Sequence, residues 1–191
     1  MSIDISDIAQ ENHRYAIHLA TFQNVIAYNN GTFKIIDASS EHTSYEAIDF
    51  WRNISLSAEI LLKASLLKHH IPFFKKRAYG EYGEKVTATT NRWLDETLKR
   101  LEINYVAQIN TGSVSMALKS AEKKLFCKLQ LDTQKAKLIL QMFYIIIRTR
   151  RNRNTHFYFS NQAYIEISEV EMLFLPLLNL LEEIYGLEFQ Q

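Results

Sequence analysis

Residues 132–156 read DTQKAKLILQMFYIIIRTRRNRNTH and contain the most informative helix of the chain. Asp132 is a residue type preferred at helix N-caps, and no glycine or proline follows before the arginines, so a helix is predicted over residues 133–150. This helix begins polar and becomes apolar on every side around Phe143, Ile145, Ile146 and Ile147. Such a helix either lies at the centre of a domain or packs against a second subunit.

Apolar periodicity predicts further helices on both sides of this one. We expect a first helix over residues 6–28, ended by Asn29-Asn30-Gly31, and then a short extended or irregular piece over residues 32–38. A long second helix should carry residues 45–68, with Ser39, Ser40 and Ser44 as candidate caps. Its end is expected before Pro72, because the residue preceding a proline avoids the helical region.

The remaining elements are predicted from caps and breakers. A helix capped by Thr89 or Thr90 is expected to reach residue 103, and another covers residues 111–126. Residues 157–165 fit a small hairpin or an irregular turn equally well. Ser168 and Glu171 have the spacing of a capping box, which would open a last helix reaching residue 185, with a kink at Pro176.

Composition predicts an all-α fold in one domain of residues 1–191. The chain has only 5 glycines and 2 prolines, so breakers of helices are few. Cys127 is the single cysteine, which excludes an intrachain disulfide and a multi-cysteine zinc site. The N-terminus lacks the pattern of a signal peptide, and the apolar runs are too short to span a bilayer. We therefore expect a cytoplasmic protein with no membrane partner.

The arginines after the long apolar helix suggest phosphate chemistry. Arg148, Arg150, Arg151 and Arg153 place four cations within six positions, although the net charge of the chain is only +1. A guanidinium binds phosphate in a bidentate manner, and the imidazole of His156 titrates near neutrality. Together they are sufficient for cleavage of RNA without a metal, because the 2′-hydroxyl of RNA supplies the nucleophile. No carboxylate–histidine spacing suggests a metal site, and no cofactor is expected.

Residues 151–156 resemble the R-x4–6-H motif of the HEPN superfamily, in the form R-N-x-x-x-H. Tyr158 extends this to R-x4-H-x-Y, the form found in toxins paired with minimal nucleotidyltransferase antitoxins. Ser57-Ala58-Glu59 and Leu61-Leu62-Lys63-Ala64 are similar to the helix that many HEPN domains carry before the motif. The resemblance covers two segments of the chain, the motif over residues 151–158 and the part of the second helix over residues 57–64. The chain is longer than a minimal HEPN domain, with extra helices and loops around residues 70–126.

The resemblance implies a helical bundle that dimerises so that two motifs share one cleft. It also implies metal-independent endoribonuclease activity that leaves 2′,3′-cyclic phosphate ends, in a toxin or an antiviral-defence effector. A nucleotidyltransferase-type antitoxin is then an expected partner, beside RNA. We expect the homodimer to form through residues 143–147 and the C-terminal helix, which are apolar on more faces than one core requires.

The candidate site residues divide into four roles. Arg151 and His156 are predicted to be catalytic; Asn152, Arg148, Arg150 and Arg153 to bind substrate; Tyr158 to accept AMP or contact substrate; and Glu59 to assist in the cleft.

Simpler interpretations stand beside these roles. Arg148 and Arg150 could merely complement the dipole at the end of their helix, and His156 could be an ordinary turn residue. Glu59 is more typical of a solvated helix face, and Cys127 of a buried apolar position. At the level of function, the alternatives are a non-catalytic helical module for dimerisation or for RNA or nucleotide binding, and a purely structural interaction domain.

Overall fold

In the computed structural model, the described part of the chain comprises residues 5–36, 42–71, 73, 75–76, 109–110, 114–151 and 164–188. This part is mostly helical. Five helices follow one another: α1 is Ile5–Thr21, α2 is Ser44–Lys68, α3 runs through Val114–Ser120, Ala121–Leu125 and Phe126–Lys128, α4 through Thr133–Ile146 and Ile147–Arg151, and α5 through Ile167–Glu169, Val170–Phe174 and Leu175–Gly186. No helix among these is long and apolar enough to cross a membrane.

Helix α2 is the centre of the bundle. It packs against α1, α3, α5 and the last turn of α4, and most of its residues are buried. Small residues allow close approach to α1: the buried Ser57 hydroxyl donates a hydrogen bond to the carbonyl oxygen of Ala16 at 2.7 Å. Helix α4, by contrast, buries one face through Ile139, Met142, Phe143 and Ile146. The central position that its composition allowed therefore belongs to α2.

A β-hairpin corrects the predicted end of the first helix and adds two short strands to a fold that is otherwise mostly helical, as predicted. Helix α1 ends at Thr21, and residues 26–28 belong to strand β1, Ile26–Asn29, which pairs antiparallel with β2, Thr32–Ile35. Asn30 and Gly31 form the turn with φ of 48° and 78°, as a two-residue type I′ turn requires. The Asn-Gly pair thus closes a hairpin rather than a helix. The extended structure expected within residues 32–38 is confirmed for β2.

The hairpin is attached to α5 through a side chain. The Asn179 amide oxygen accepts from the backbone N–H of Phe33 at 2.8 Å, and its amide nitrogen donates to the carbonyl oxygen of Phe33 at 3.2 Å. An isolated two-stranded hairpin is marginally stable in water, so this contact and the buried Phe33 ring hold it on the helices.

Helix ends agree with the predictions in part. Asp132 caps α4 as expected, accepting from the N–H groups of Gln134 and Lys135. The cap of α2 is Thr43, which forms a capping box with Glu46 and not the predicted cap at Ser44; Ser39 and Ser40 lie outside the described residues. The capping box predicted for Ser168 and Glu171 is wrong.

Helix α5 begins one residue before Ser168. Its N-cap is Glu166, and the Ser168 hydroxyl donates to the Glu166 carboxylate at 2.8 Å instead of accepting from a backbone N–H. A π-helical turn over Val170–Phe174 ends two residues before Pro176. Because that turn already lengthens the backbone repeat, the missing N–H of proline is accommodated within a helix that continues to Gly186.

Some predictions fall outside the described residues. The helix expected to end at residue 103 and the segment 157–163 belong to this group, as does most of the expected insert. Within residues 70–126, a two-residue pairing joins β3, Lys75–Lys76, to β4, Ile109–Asn110. The helix predicted over residues 111–126 is confirmed as α3, which covers residues 114–128. Cys127 is exposed on α3, which contradicts the buried position expected for it.

The turn geometry predicts that Gly31→Ala lowers the free energy of unfolding by about 1–2 kcal/mol. The cause is backbone strain, since an L-residue is disfavoured at this positive φ and no atom lies within 4 Å of the added Cβ. Gly186→Ala is the matched control, because its Cβ also meets open space but its φ is not positive. Urea denaturation of both variants measures the difference, and equal stabilities would contradict the role of the turn.

Candidate functional site

The motif residues begin where α4 ends. Arg151 is the last residue of α4 and closes a π-helical turn over Ile147–Arg151. This turn packs against the central helix α2. The side chain of Arg151 and the residues Asn152, Arg153, His156 and Tyr158 lie outside the described part of the structure, so their predicted roles stay predictions.

Arg150 is held inside the bundle. Its Nε donates to Oε1 of Glu169 at 2.8 Å, and its Nη2 donates to Oε2 of the same carboxylate. Its guanidinium also lies over the ring of Trp51, with 3.9 Å from Cζ to the ring centroid. A bidentate pair and a cation–π contact occupy the groups that would bind a phosphate. Substrate binding by Arg150 stays a prediction, but the geometry favours a structural role.

Trp51 connects the chain on both sides of residues 152–163. Besides its contact with Arg150, its indole Nε1 donates to the carbonyl oxygen of Tyr164 at 2.9 Å. The Trp51 side chain is buried, and its ring lies 5.5 Å from that of Phe174. A single buried side chain of α2 therefore fixes the position at which α4 approaches the motif and the position at which the chain returns to α5.

Arg148 has a different environment from Arg150. It is exposed, and its guanidinium lies 4.3 Å from the ring centroid of Tyr144, itself 56% exposed. Both residues line an open cleft of about 380 Å³ between α3 and α4. Arg148 is thus the arginine of the described site that faces outward and remains accessible to a phosphate.

Glu59 is not on a solvated helix face. Its side chain is 8% exposed and accepts a hydrogen bond from Nζ of Lys63, one helical turn later, at 2.7 Å. The Lys63 ammonium is the partner that makes burial of this carboxylate tolerable, because an unpaired buried charge is strongly unfavourable. The expectation of a solvated position is wrong, and the auxiliary role in the cleft stays a prediction.

A second polar cluster lies near the opposite end of α5. Glu182, about 20 Å along the helix from Glu169 at 1.5 Å per residue, accepts from the Tyr28 hydroxyl at 2.6 Å and contacts Nε2 of His13 at 2.8 Å. The His13 ring stacks on Tyr185 at 4.0 Å. Burial, followed by the hydrogen bond and the charge of Glu182, raises the pKa of Tyr28 above its usual range. These groups satisfy one another and connect α1, β1 and α5.

Metal ligands are not gathered in the described residues, where no three His, Cys, Asp or Glu side chains form a group that could hold an ion. His69, at the end of α2, is buried beside the carbonyl oxygen of Ile184, and burial lowers its pKa. His70 is exposed, with φ of 54°. The two neighbouring histidines thus have different environments.

Sequence reasoning missed Trp51, Glu169 and Tyr144 as parts of the site. Trp51 had the pattern of a core residue, and it is one. Nothing local connects Arg150 with Glu169, which lies 19 residues later. The pairing depends on the angle at which α5 returns to α4, and periodicity within one helix does not contain that angle.

The pairing predicts that Glu169→Gln lowers the free energy of unfolding by about 2 kcal/mol, because hydrogen bonds between charged groups contribute about 1.5–3 kcal/mol. The side chains of Arg150 and Glu169 are only 16% and 23% exposed. Glu183→Gln is the matched control on the same helix: its pair with Lys135 is 45% and 44% exposed and should contribute less than about 1 kcal/mol. Denaturation curves that shift equally for both variants would contradict the structural role of Arg150.

The raised pKa of Tyr28 predicts a loss of stability at alkaline pH. In the unfolded chain this hydroxyl titrates at about 10, whereas the folded protein keeps it protonated to higher pH. Stability is fully present below pH 10 and falls as pH rises above it, because only the unfolded chain then releases the proton. Tyr28→Phe should reduce the fall in melting temperature between about pH 9 and about pH 11. The control variant Tyr15→Phe, at an exposed tyrosine, should show the same fall as the wild-type protein. Parallel curves of melting temperature against pH for the wild-type protein and Tyr28→Phe would refute this linkage.

Comparison of the chain with known protein families, with curated proteins and with solved structures found no match.

Proposed function

We propose that this protein is a metal-independent endoribonuclease of the HEPN type, acting as a toxin or an antiviral-defence effector. The observation that carries the proposal is the sequence R-N-R-N-T-H over residues 151–156 at the end of a helix. His156 would exchange protons with the 2′-hydroxyl and the leaving oxygen, and Arg151 would stabilise charge on the phosphorus. Both are roles for which imidazole and guanidinium are suited.

The described contacts support a division of labour among the arginines. Arg150 is neutralised by Glu169 and stacked on Trp51, while Arg148 is exposed on the cleft. We therefore assign Arg148, with Arg153 and Asn152, to substrate binding, and Arg150 to positioning the end of α4. A rigid end of α4 would serve catalysis, because small misplacements of a catalytic group cost much of its rate enhancement.

A homodimer is part of the proposal. Phe143 and Ile146 are buried within the protomer and are unavailable to a partner, whereas Leu138 and Ile145 are each 45% exposed on the outer face of α4. Met172 on α5 is 79% exposed. We propose these three side chains as the apolar centre of the interface, in place of the whole apolar run of residues 143–147.

The function predicts RNA cleavage that survives EDTA and requires both Arg151 and His156. His156→Ala and Arg151→Ala should each lower the cleavage rate by about 10²–10⁴-fold, the usual contribution of a general acid–base group or a charge-stabilising donor. RNA with a 2′-deoxy residue at the cut site should resist, and the products should end in cyclic phosphates. Gel electrophoresis and mass spectrometry of the products measure each of these outcomes.

Lys34→Ala is a control variant, since it removes an exposed cation from the hairpin. It should cleave RNA at the same rate as the wild-type protein.

Light scattering of the same preparations should give twice the chain mass of 22.4 kDa. Full activity of a folded His156→Ala variant, or loss of wild-type activity in EDTA, would refute the mechanism. RNA binding without cleavage by the wild-type dimer would favour the non-catalytic alternative.

A further inference from the structure

The cleft between α3 and α4 combines an aromatic ring, two cations and an aliphatic floor. Tyr144 and Arg148 come from α4, and Lys119 comes from α3. Leu118, Leu140 and Ile147 supply apolar surface between them, and all three are half-buried. Stacking surface next to positive charge is the combination by which proteins bind single-stranded nucleic acid, with bases on the aromatic side chains and phosphates near the cations.

Tyr144 is suited to stacking. More than half of its surface is exposed although the Arg148 guanidinium lies over its ring. A guanidinium resting on an aromatic face is already oriented, so it loses less conformational freedom when it binds a phosphate. The guanidinium covers one face of the ring, so a base would stack on the opposite face, with the phosphate donor directly behind the ring.

The charges of the cleft favour a base in its interior and a phosphate at its edge. Among the described residues, no carboxylate lies within ion-pair distance of Lys119 or Arg148, so their charges are available to a ligand. Glu122 is the acidic residue of the lining. A carboxylate repels phosphate, but it accepts hydrogen bonds from the amino groups of bases.

The cleft leads toward the motif. Ile147 lines it and also begins the π-helical turn that ends at Arg151. Along α4, Arg151 lies seven residues beyond Tyr144, about 10 Å at the rise of a helix. A strand of RNA whose phosphate lies at Arg151 can thus extend along the same helix into the cleft.

We propose that this cleft, defined by Tyr144, Arg148, Lys119 and Glu122, is a subsite for single-stranded RNA that stacks a base on Tyr144 beside the scissile phosphate. The subsite rests on the proposed ribonuclease function and identifies the form of its substrate. It accepts an unpaired base, because a base within a duplex has no free face to stack on the ring.

The test uses the full-length protein carrying His156→Ala, so that RNA is bound without being cut. Fluorescence anisotropy follows a fluorescein-labelled, ten-nucleotide single-stranded RNA of mixed sequence. Tyr144→Ala should raise Kd about tenfold, within the range measured for loss of one base–aromatic stack. Tyr144→Phe should stay within about twofold of the parent, since the ring and not the hydroxyl carries the interaction.

The cations are tested by salt dependence. Arg148→Ala and Lys119→Ala should each lower the slope of log K against log salt by about 0.7, as expected for one lost phosphate contact on a single strand. Lys34→Ala, on the hairpin, is the control for charge, and Tyr15→Ala, 50% exposed on α1, is the control for removal of a surface tyrosine. Thermal melts of all variants should agree with that of the parent within a few degrees, because each replaced side chain is exposed.

The same RNA annealed to its complement should bind more weakly, and its affinity should not depend on Tyr144. Unchanged affinity of Tyr144→Ala for the single strand, equal effects on single strand and duplex, or no RNA binding by the parent would each overturn the subsite. Failure of the subsite and failure of the function differ in their outcomes. Cleavage by the wild-type protein with an unaltered KM for Tyr144→Ala removes the subsite alone, whereas Tyr144-dependent binding without wild-type cleavage removes the ribonuclease alone.

Discussion

The contact of Arg150 with Trp51 and Glu169 is the interaction on which the motif end of the bundle depends. Three helices meet there: Trp51 belongs to the central helix α2, Arg150 to the last turn of α4 and Glu169 to the first turn of α5. The indole nitrogen of Trp51 also holds the carbonyl of Tyr164, where the chain returns. A partly buried guanidinium requires a carboxylate partner, and this requirement fixes α5 relative to α4.

Arg148 and Arg150 both lie in the π-helical turn at the end of α4, Ile147–Arg151. Residues two positions apart on a helix point to nearly opposite sides of its axis, so the two arginines have different environments. Arg148 lies outward over Tyr144, while Arg150 lies inward on Trp51. Such turns are frequent at functional sites, and this one brings the backbone of Arg151 to the point where the candidate chemistry begins.

The opposite end of α5 carries a polar network beside the fully buried Leu181 and Ile184. Glu182 is the shared acceptor of Tyr28 and His13, and Asn179 completes the backbone pairing of Phe33. Buried polar groups are tolerated when each finds a partner, and here the partners come from α1, the hairpin and α5. The hairpin is therefore an integral part of the helical body, although it interrupts the all-α pattern.

The sequence by itself determined the helical character of the chain, the positions of α2 and α4, the cap at Asp132 and the cationic segment with its Arg151–His156 spacing. These properties depend on local periodicity, on caps and on the scarcity of breakers, all of which act within a few residues. Only the tertiary structure decided that α2 is central, that Glu59 is buried and that Arg150 is the arginine that faces inward. Each of these depends on contacts between residues far apart in the chain, such as Arg150 with Glu169 and Trp51, and the geometry of such contacts is set by how the helices pack.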